Sequence, residues 1–268
     1  MKICGNVEVK GTNSGYSPVS VTTDGDLMIF TGFVNDEADL FMYDVDSETL
    51  TNITETDNIK ESNPRFSTDN ESACFITAID SVHQLCVLDV QTLSIYILYS
   101  TDLRIPGCIY SVDNERIYFV EETDSLNKST LDVRDSYQGN VISLNIITSE
   151  ITVLDANSGS WGAHNMQLNQ NYILYGRIPS AKWIAYRFDS QIMTMLDQSG
   201  VDYVDINESD QILHSSDSVT GSIRLFNIEM GTFDEIITDS FGGSYNLDET
   251  KICFVSRYKV NKGNRLTD

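Results

Sequence analysis

Along most of the chain, apolar positions alternate with polar ones in runs of four to seven residues rich in β-branched and aromatic side chains. Asp, Asn, Gly and Ser bound these runs, and helical spacing is weak throughout. Short strands at even intervals call for a search for internal repeats. Two columns emerge. The first is a ring-bearing position inside a strand, six residues after a turn residue: Phe30, Phe75, Phe119, Tyr175, His214 and Phe254. The second is an Asx residue at the end of the next strand: Asp44, Asp89, Asn145, Asp189 and Asn227. An Asx side chain bonds its own backbone two residues on, so a tight turn is expected after each.

From the ring column to the Asx column the spacings are 14, 14, 26, 14 and 13 residues. From Asx to the next ring they are 31, 30, 30, 25 and 27. Each unit therefore has room for four antiparallel strands, and six such units predict an all-β, six-bladed β-propeller. The expected blades are approximately 17–54, 62–99, 105–155, 162–197, 202–238, and 243–268 plus 6–12. Phe254 lies 14 residues before the last residue, Asp268, which places the end of the chain at the Asx column. The N-terminal run "NVEVKGT" (6–12) is accordingly expected as the outer strand that joins the three C-terminal strands and fastens a single-domain ring.

Unit one, "SPVSVTTDGDLMIFTGFVNDEADLFMYDVDSETLTNIT", resembles the repeat of TolB-like six-bladed propellers, which also occurs in prolyl oligopeptidase-type peptidases. Unit two, "NPRFSTDNESACFITAIDSVHQLCVLDV", matches almost as well. The family's Ser-Pro-Asp-Gly turn appears here as Thr-Thr-Asp-Gly (22–25), Ser-Thr-Asp-Asn (67–70) and Ser-Val-Asp-Asn (111–114). These motifs are structural in the family, so the resemblance implies the propeller and no catalytic residue. The extra α/β domain of TolB and the Gly-x-Ser-x-Gly element of the peptidases have no counterpart in this sequence.

Charge narrows the partners. With 17 basic and 40 acidic residues the net charge is −23, a surface that repels nucleic-acid phosphates and anionic lipids. No run is long and apolar enough for a spanning helix, and "MKICGNVEVKGTN" has no apolar leader core. Nucleic acid and membrane insertion are therefore not expected. The reading is a cytoplasmic monomer as the chain stands, or a periplasmic or secreted one if a signal peptide has been removed. Five cysteines without CxxC spacing, four of them in apolar runs, read as reduced core thiols.

The acids of "DVDSET" (44–49) begin like a calcium loop, but position six is Thr49 where a Gly is wanted. The repeat assigns Asp44 to turn chemistry instead. No cofactor is implied; calcium is the one ion the acidic pattern leaves open. His214 falls in the ring column and reads as packed, and His83 reads as part of an exposed hairpin. His164, in "GSWGAHNMQL", enters the inner strand of unit four and approaches the channel mouth.

Binding residues are expected on the face that carries the hairpins between strands two and three and the connections between blades. The outlying spacing of 26 puts an insert in the blade-three hairpin, within 121–140, with Lys128, Arg134 and Tyr137. Blade connections bring Tyr16, Arg104, Trp161, His164, Asp202 and Tyr203 to the same mouth. Thr22, Ser67, Ser111, Gln167 and Asp205 are expected to give the channel a polar lining. The leading functional expectation is a non-enzymatic module binding a protein, peptide or glycan at this face. The alternative is a hydrolase or lyase acting on a sugar, lactone or ester. There His164 would be general base, with Asp202 or Asp205 orienting it or holding a cation.

Overall fold

The computed structural model describes residues 19–34, 37–125, 137–159, 166–177, 182–196, 201–216, 222–238, 240–245 and 252–256. Among these there is no helix, and six antiparallel sheets follow one another along the chain. Blade one contains β1 (Ser20–Val21), β2 (Leu27–Val34), β3 (Glu37–Asp44) and β4 (Thr49–Asn52). Blade two contains β5 (Lys60–Phe66), β6 (Ser72–Ile79), β7 (Val82–Asp89) and β8 (Ile95–Thr101). Blade three contains β9 (Cys108–Tyr110), β10 (Arg116–Ser125), β11 (Tyr137–Asn145) and β12 (Ile151–Gly159). Blade four contains β13 (Gln167–Leu168), β14 (Tyr172–Arg177), β15 (Lys182–Arg187) and β16 (Met193–Leu196). Blade five contains β17 (Val201–Ile206), β18 (Gln211–Ser216), β19 (Ser222–Asn227) and β20 (Thr232–Thr238). A two-stranded sheet of β21 (Ser240–Tyr245) and β22 (Ile252–Ser256) follows. Strand order within each four-stranded sheet is sequential, as a β-propeller requires. The expected closure through residues 6–12 and 257–268 lies outside the described residues.

The middle strands of blades two to four are buried on both faces because each of these blades packs between two others. Alternation along a strand sends successive side chains to opposite seams. Phe75 meets Ile29 and Leu40 in the seam between blades one and two. Its neighbours Cys74 and Ile76 meet Phe119 and Ile117 between blades two and three. Tyr118 and Val120 then meet Ile173 and Tyr175 between blades three and four. Phe75, Phe119 and Tyr175 of the ring column thus each face the preceding blade. Phe30, Phe75 and Phe119 are fully buried, and Tyr175 is 1% exposed.

The turns between strands three and four show why the Asx column recurs. The Oδ1 atoms of Asp44, Asp89, Asn145 and Asn227 accept backbone N–H bonds from Ser47, Thr92, Thr148 and Met230 at 2.7–2.9 Å. The residue four positions on has positive φ in each turn: Glu48, Leu93, Ser149 and Gly231. Blade four departs from the expected column. There β15 ends at Arg187, and Gln191, four residues later, has the positive φ. Arg187 therefore occupies the column, and Asp189 lies two residues beyond it. Its carboxylate takes the Arg187 Nε at 2.9 Å. The spacing of 14 to Asp189 mimicked the column because an acid happened to follow.

The inner strands also differ from expectation. Thr22, Ser67 and Ser111 do not line a channel; they are 2%, 2% and 6% exposed. Their hydroxyls accept the N–H of Leu27, Ser72 and Arg116, the first residue of strand two, at 2.9–3.0 Å. Their equivalents in blades four and five are Asn169 and Asn207, which cap the same turns through Oδ1, rather than Gln167 and Asp205. A two-residue frame shift in those blades comes from shorter turns.

Candidate functional site

The turns between strands one and two form a belt that stitches neighbouring blades. Asn70 of blade two accepts the Thr23 N–H at 3.0 Å and donates Nδ2 to Thr23 Oγ1 at 2.8 Å. Asn114 of blade three accepts from Thr68 N at 2.9 Å and from Thr68 Oγ1 at 3.0 Å. Asp210 of blade five accepts from Asn169 Nδ2 at 2.8 Å. Each reaching residue has positive φ (64° at Asn70, 59° at Asn114 and 59° at Asp210), which aims its side chain back at the preceding blade. Asn and Asp tolerate this conformation better than other side-chain-bearing residues. Substituting Asn114 by Gly should cost about 1 kcal/mol through the lost bonds, and by Ala somewhat more because the Cβ is strained at that φ. Urea denaturation of the two variants checks the order.

Blade four cannot make this stitch. Its turn closes from Asn169 to Tyr172, whereas those of blades one to three close over five residues, for example Ser111 to Arg116. The position that would reach back to blade three is missing. Among the described residues no turn-to-turn bond crosses that seam, and a cavity of about 640 Å3 opens there.

Its floor is aromatic. Tyr118 of β10 stacks on Phe188 of the β15–β16 turn, with ring centroids 5.4 Å apart and planes at 16°. Tyr186 meets Phe188 edge-on at 6.3 Å. The walls are hydroxyls and carboxamides, including Thr152 and Ser143 from blade three and Asn169, Gln170 and Gln191 from blade four. Arg116 adds a guanidinium, whose Nη1 donates to Ser143 Oγ at 3.2 Å. Hydrogen bonds from the Ser111 hydroxyl and the Glu115 N–H, aided by the Arg116 charge, hold the Asp113 carboxyl below its usual range. Burial pushes the Tyr118 phenol up to about 12, against the pull of Arg116. At neutral pH the groove therefore presents one anion, one cation and neutral rings, with amide and hydroxyl groups that can both donate and accept.

The opposite face carries Arg104, a residue that the sequence placed at the channel mouth. It lies between β8 and β9, bridged to Glu122 of β10, and its Nη1 is 3.3 Å from both carboxylate oxygens. Glu122 is buried, while the Arg104 side chain is 44% exposed. Beside it, the Tyr99 hydroxyl donates to Glu121 Oε1 at 2.7 Å. His83 is the second residue of β7 and half-buried, not part of an exposed hairpin tip. Burial and then the Arg104 charge lower its pKa.

The remaining predicted residues are less informative. Tyr16, Lys128, Arg134, Trp161 and His164 lie outside the described residues. Tyr137 begins β11, opposite Ser125. Asp202 and Tyr203 lie on β17 where the register shifts, and their side chains are outside the description. Asp205 pairs with Leu213, and its Oδ1 accepts the Ile206 N–H at 3.0 Å. Among the described residues no three His, Cys, Asp or Glu side chains come together as metal ligands. The groove residues Arg116, Gln170 and Phe188 were not singled out in the sequence. The available signal was the shortened turn of blade four.

No protein-family model matches the chain, and no curated protein matches it. Solved structures do. TolB from Acinetobacter baumannii superposes with a TM-score of 0.61 at 14% identity, covering 84% of this chain and 54% of TolB. An oligogalacturonate lyase in complex with manganese gives 0.65 at 13% identity, covering 86% and 68%. The acylaminoacyl peptidase of Pyrococcus horikoshii gives 0.63 at 14%, covering 89% and 42%. The chain thus spans about half the length of TolB. At these identities the likeness establishes a TolB-like β-propeller fold and nothing further.

Proposed function

We propose that this protein is a binding module whose ligand lies in the groove between blades three and four, on the turn face. The observation that carries this reading is the local loss of the turn belt. At this seam a shortened turn leaves an open, walled groove of about 640 Å3, within the size range of small-ligand sites. A defect in the repeat that retains buried aromatic packing beneath it has the form of a site set on a rigid scaffold.

The lining favours a short oligosaccharide. A sugar ring has apolar faces that lie against an aromatic floor, and hydroxyls that match carboxamides and serine or threonine side chains. A neutral glycan also escapes the repulsion that a net charge of −23 imposes on anionic ligands.

Binding of immobilised tri- to pentasaccharides, neutral and uronic, tests this. Gln170 is exposed on the groove wall, so Gln170→Trp fills the groove without disturbing the core. It should weaken binding by more than about tenfold while leaving the unfolding midpoint in place. Retention of no oligosaccharide, or equal retention by the Trp variant, overturns the reading.

A further inference from the structure

The seam between blades two and three holds a thiol pair. Cys74 of β6 and Cys108 of β9 come from different blades, and their Sγ atoms are 3.1 Å apart. Both are free thiols, 0% and 4% exposed. They sit among Ile76, Tyr110 and Phe119 in a packed core. Cys86 points to the other seam of blade two, where it contacts Thr77 at 3.9 Å.

We propose that Cys74 and Cys108 form a redox pair that closes a disulfide between blades two and three when the protein meets a hydroperoxide. The geometry carries this. A disulfide has its sulfurs about 2 Å apart, so the thiols need approach by only about 1 Å. The two side chains already face one another across a seam whose neighbouring strands fix both backbones. Arg65 is in register with Cys74 on β5, and its positive charge acts on both thiols. Burial raises the Cys108 thiol well above its usual range, and the Arg65 charge opposes that effect.

The chemistry balances with hydrogen peroxide as oxidant. One sulfur attacks a peroxide oxygen, an S–O bond forms, the O–O bond breaks, and the thiol proton leaves with the released hydroxide as water. The second sulfur displaces hydroxide from the sulfenic acid, forming S–S. Its own proton leaves with that hydroxide as a second water. Two thiols are oxidised and one peroxide is reduced. The bond links positions 34 residues apart, adds a covalent tie between two blades otherwise held by packing and hydrogen bonds, and restricts the unfolded chain.

The test uses the full chain carrying Cys86→Ala, treated with hydrogen peroxide while folded, alkylated, and digested with trypsin without reduction. Cleavage after Arg65, Arg104 and Arg116 places Cys74 and Cys108 on separate peptides. The expected product is one cross-linked pair lighter by two hydrogens, together with a rise of about 5–10 °C in Tm that dithiothreitol reverses. Cys108→Ser should show neither the link nor the rise. Should that variant fail to fold, Cys74→Ala provides the same comparison, and the peptide map of the parent protein decides alone. Thiols that remain reduced, or that go separately to sulfinic or sulfonic acid, overturn the proposal, as does a link formed without any change in Tm.

Discussion

Replacing Phe119 with alanine should lower the unfolding free energy by about 3–5 kcal/mol. The ring is fully buried and lies in the seam between blades two and three. It faces Tyr99 of the preceding blade, with centroids 5.2 Å apart and planes at 46°. Removing it deletes apolar area from both blades and leaves a cavity between two rigid sheets that cannot collapse toward each other. Such interiors are packed like crystals, so the lost contacts are not recovered by relaxation. A loss of this size is a large share of the total stability of an ordinary domain, about 5–15 kcal/mol. Urea unfolding checks it, with the slope as a second readout. A fall in midpoint at constant slope means that the blades unfold together. A fall of less than about 1 kcal/mol would mean that the ring column does not carry the seams.

That column was the most legible feature of the sequence. A buried ring that meets the previous blade, as Phe75, Phe119 and Tyr175 do, is a local requirement, so each of these copies carries it in full view. The strands around it were readable for the same reason, and the four-stranded sheets follow from them. The Asx column was readable in blades one, two, three and five and misleading in blade four. An acid two residues beyond Arg187 fits a spacing rule, but a spacing rule does not distinguish a turn-capping oxygen from an ion-pair partner. The polar positions before each turn were misread by the same logic. Thr22 and Ser67 look like channel-lining residues until their hydroxyls are seen to hold the next strand's N–H groups. The groove was hidden for a different reason. It arises where a residue is missing, and a shortened turn carries no motif. Its lining comes from six separate stretches between Ser111 and Gln191, which only the seam brings together.

Glu61→Gln should abolish a component of the pH dependence of stability. Glu61 is 2% exposed in the seam between blades one and two. Its Oε1 accepts the Thr56 hydroxyl at 2.8 Å, while Oε2 has no hydrogen-bond partner among the described residues. Thr56 also donates its N–H to Asp39, a buried carboxylate that takes a further bond from Asn52. Burial chiefly, and then the Asp39 charge, raise the Glu61 carboxyl from an ordinary 4.5 to about 7, with the Thr56 bond opposing them. Below pH 4.5 Glu61 is protonated in both folded and unfolded chains, and its contribution to stability is at its full value. Between 4.5 and about 7 the unfolded chain loses this proton while the folded protein keeps it, so stability falls as pH rises. Above that window the folded protein holds an ionised carboxylate against its burial. Allowing for solvent screening at the mouth of the seam, the accumulated cost is on the order of 2 kcal/mol. A glutamine keeps the shape of the neutral acid and cannot ionise. The variant should therefore match the parent at pH 4 and exceed it by about 2 kcal/mol at pH 8. The protein's other acids add a repulsion of the same sign, so the exposed Glu71→Gln serves as the charge-matched control. Urea midpoints at several pH values separate the two effects. A Glu61→Gln profile parallel to that of Glu71→Gln would place the buried carboxylate's charge in contact with solvent and remove the basis for the expected gain.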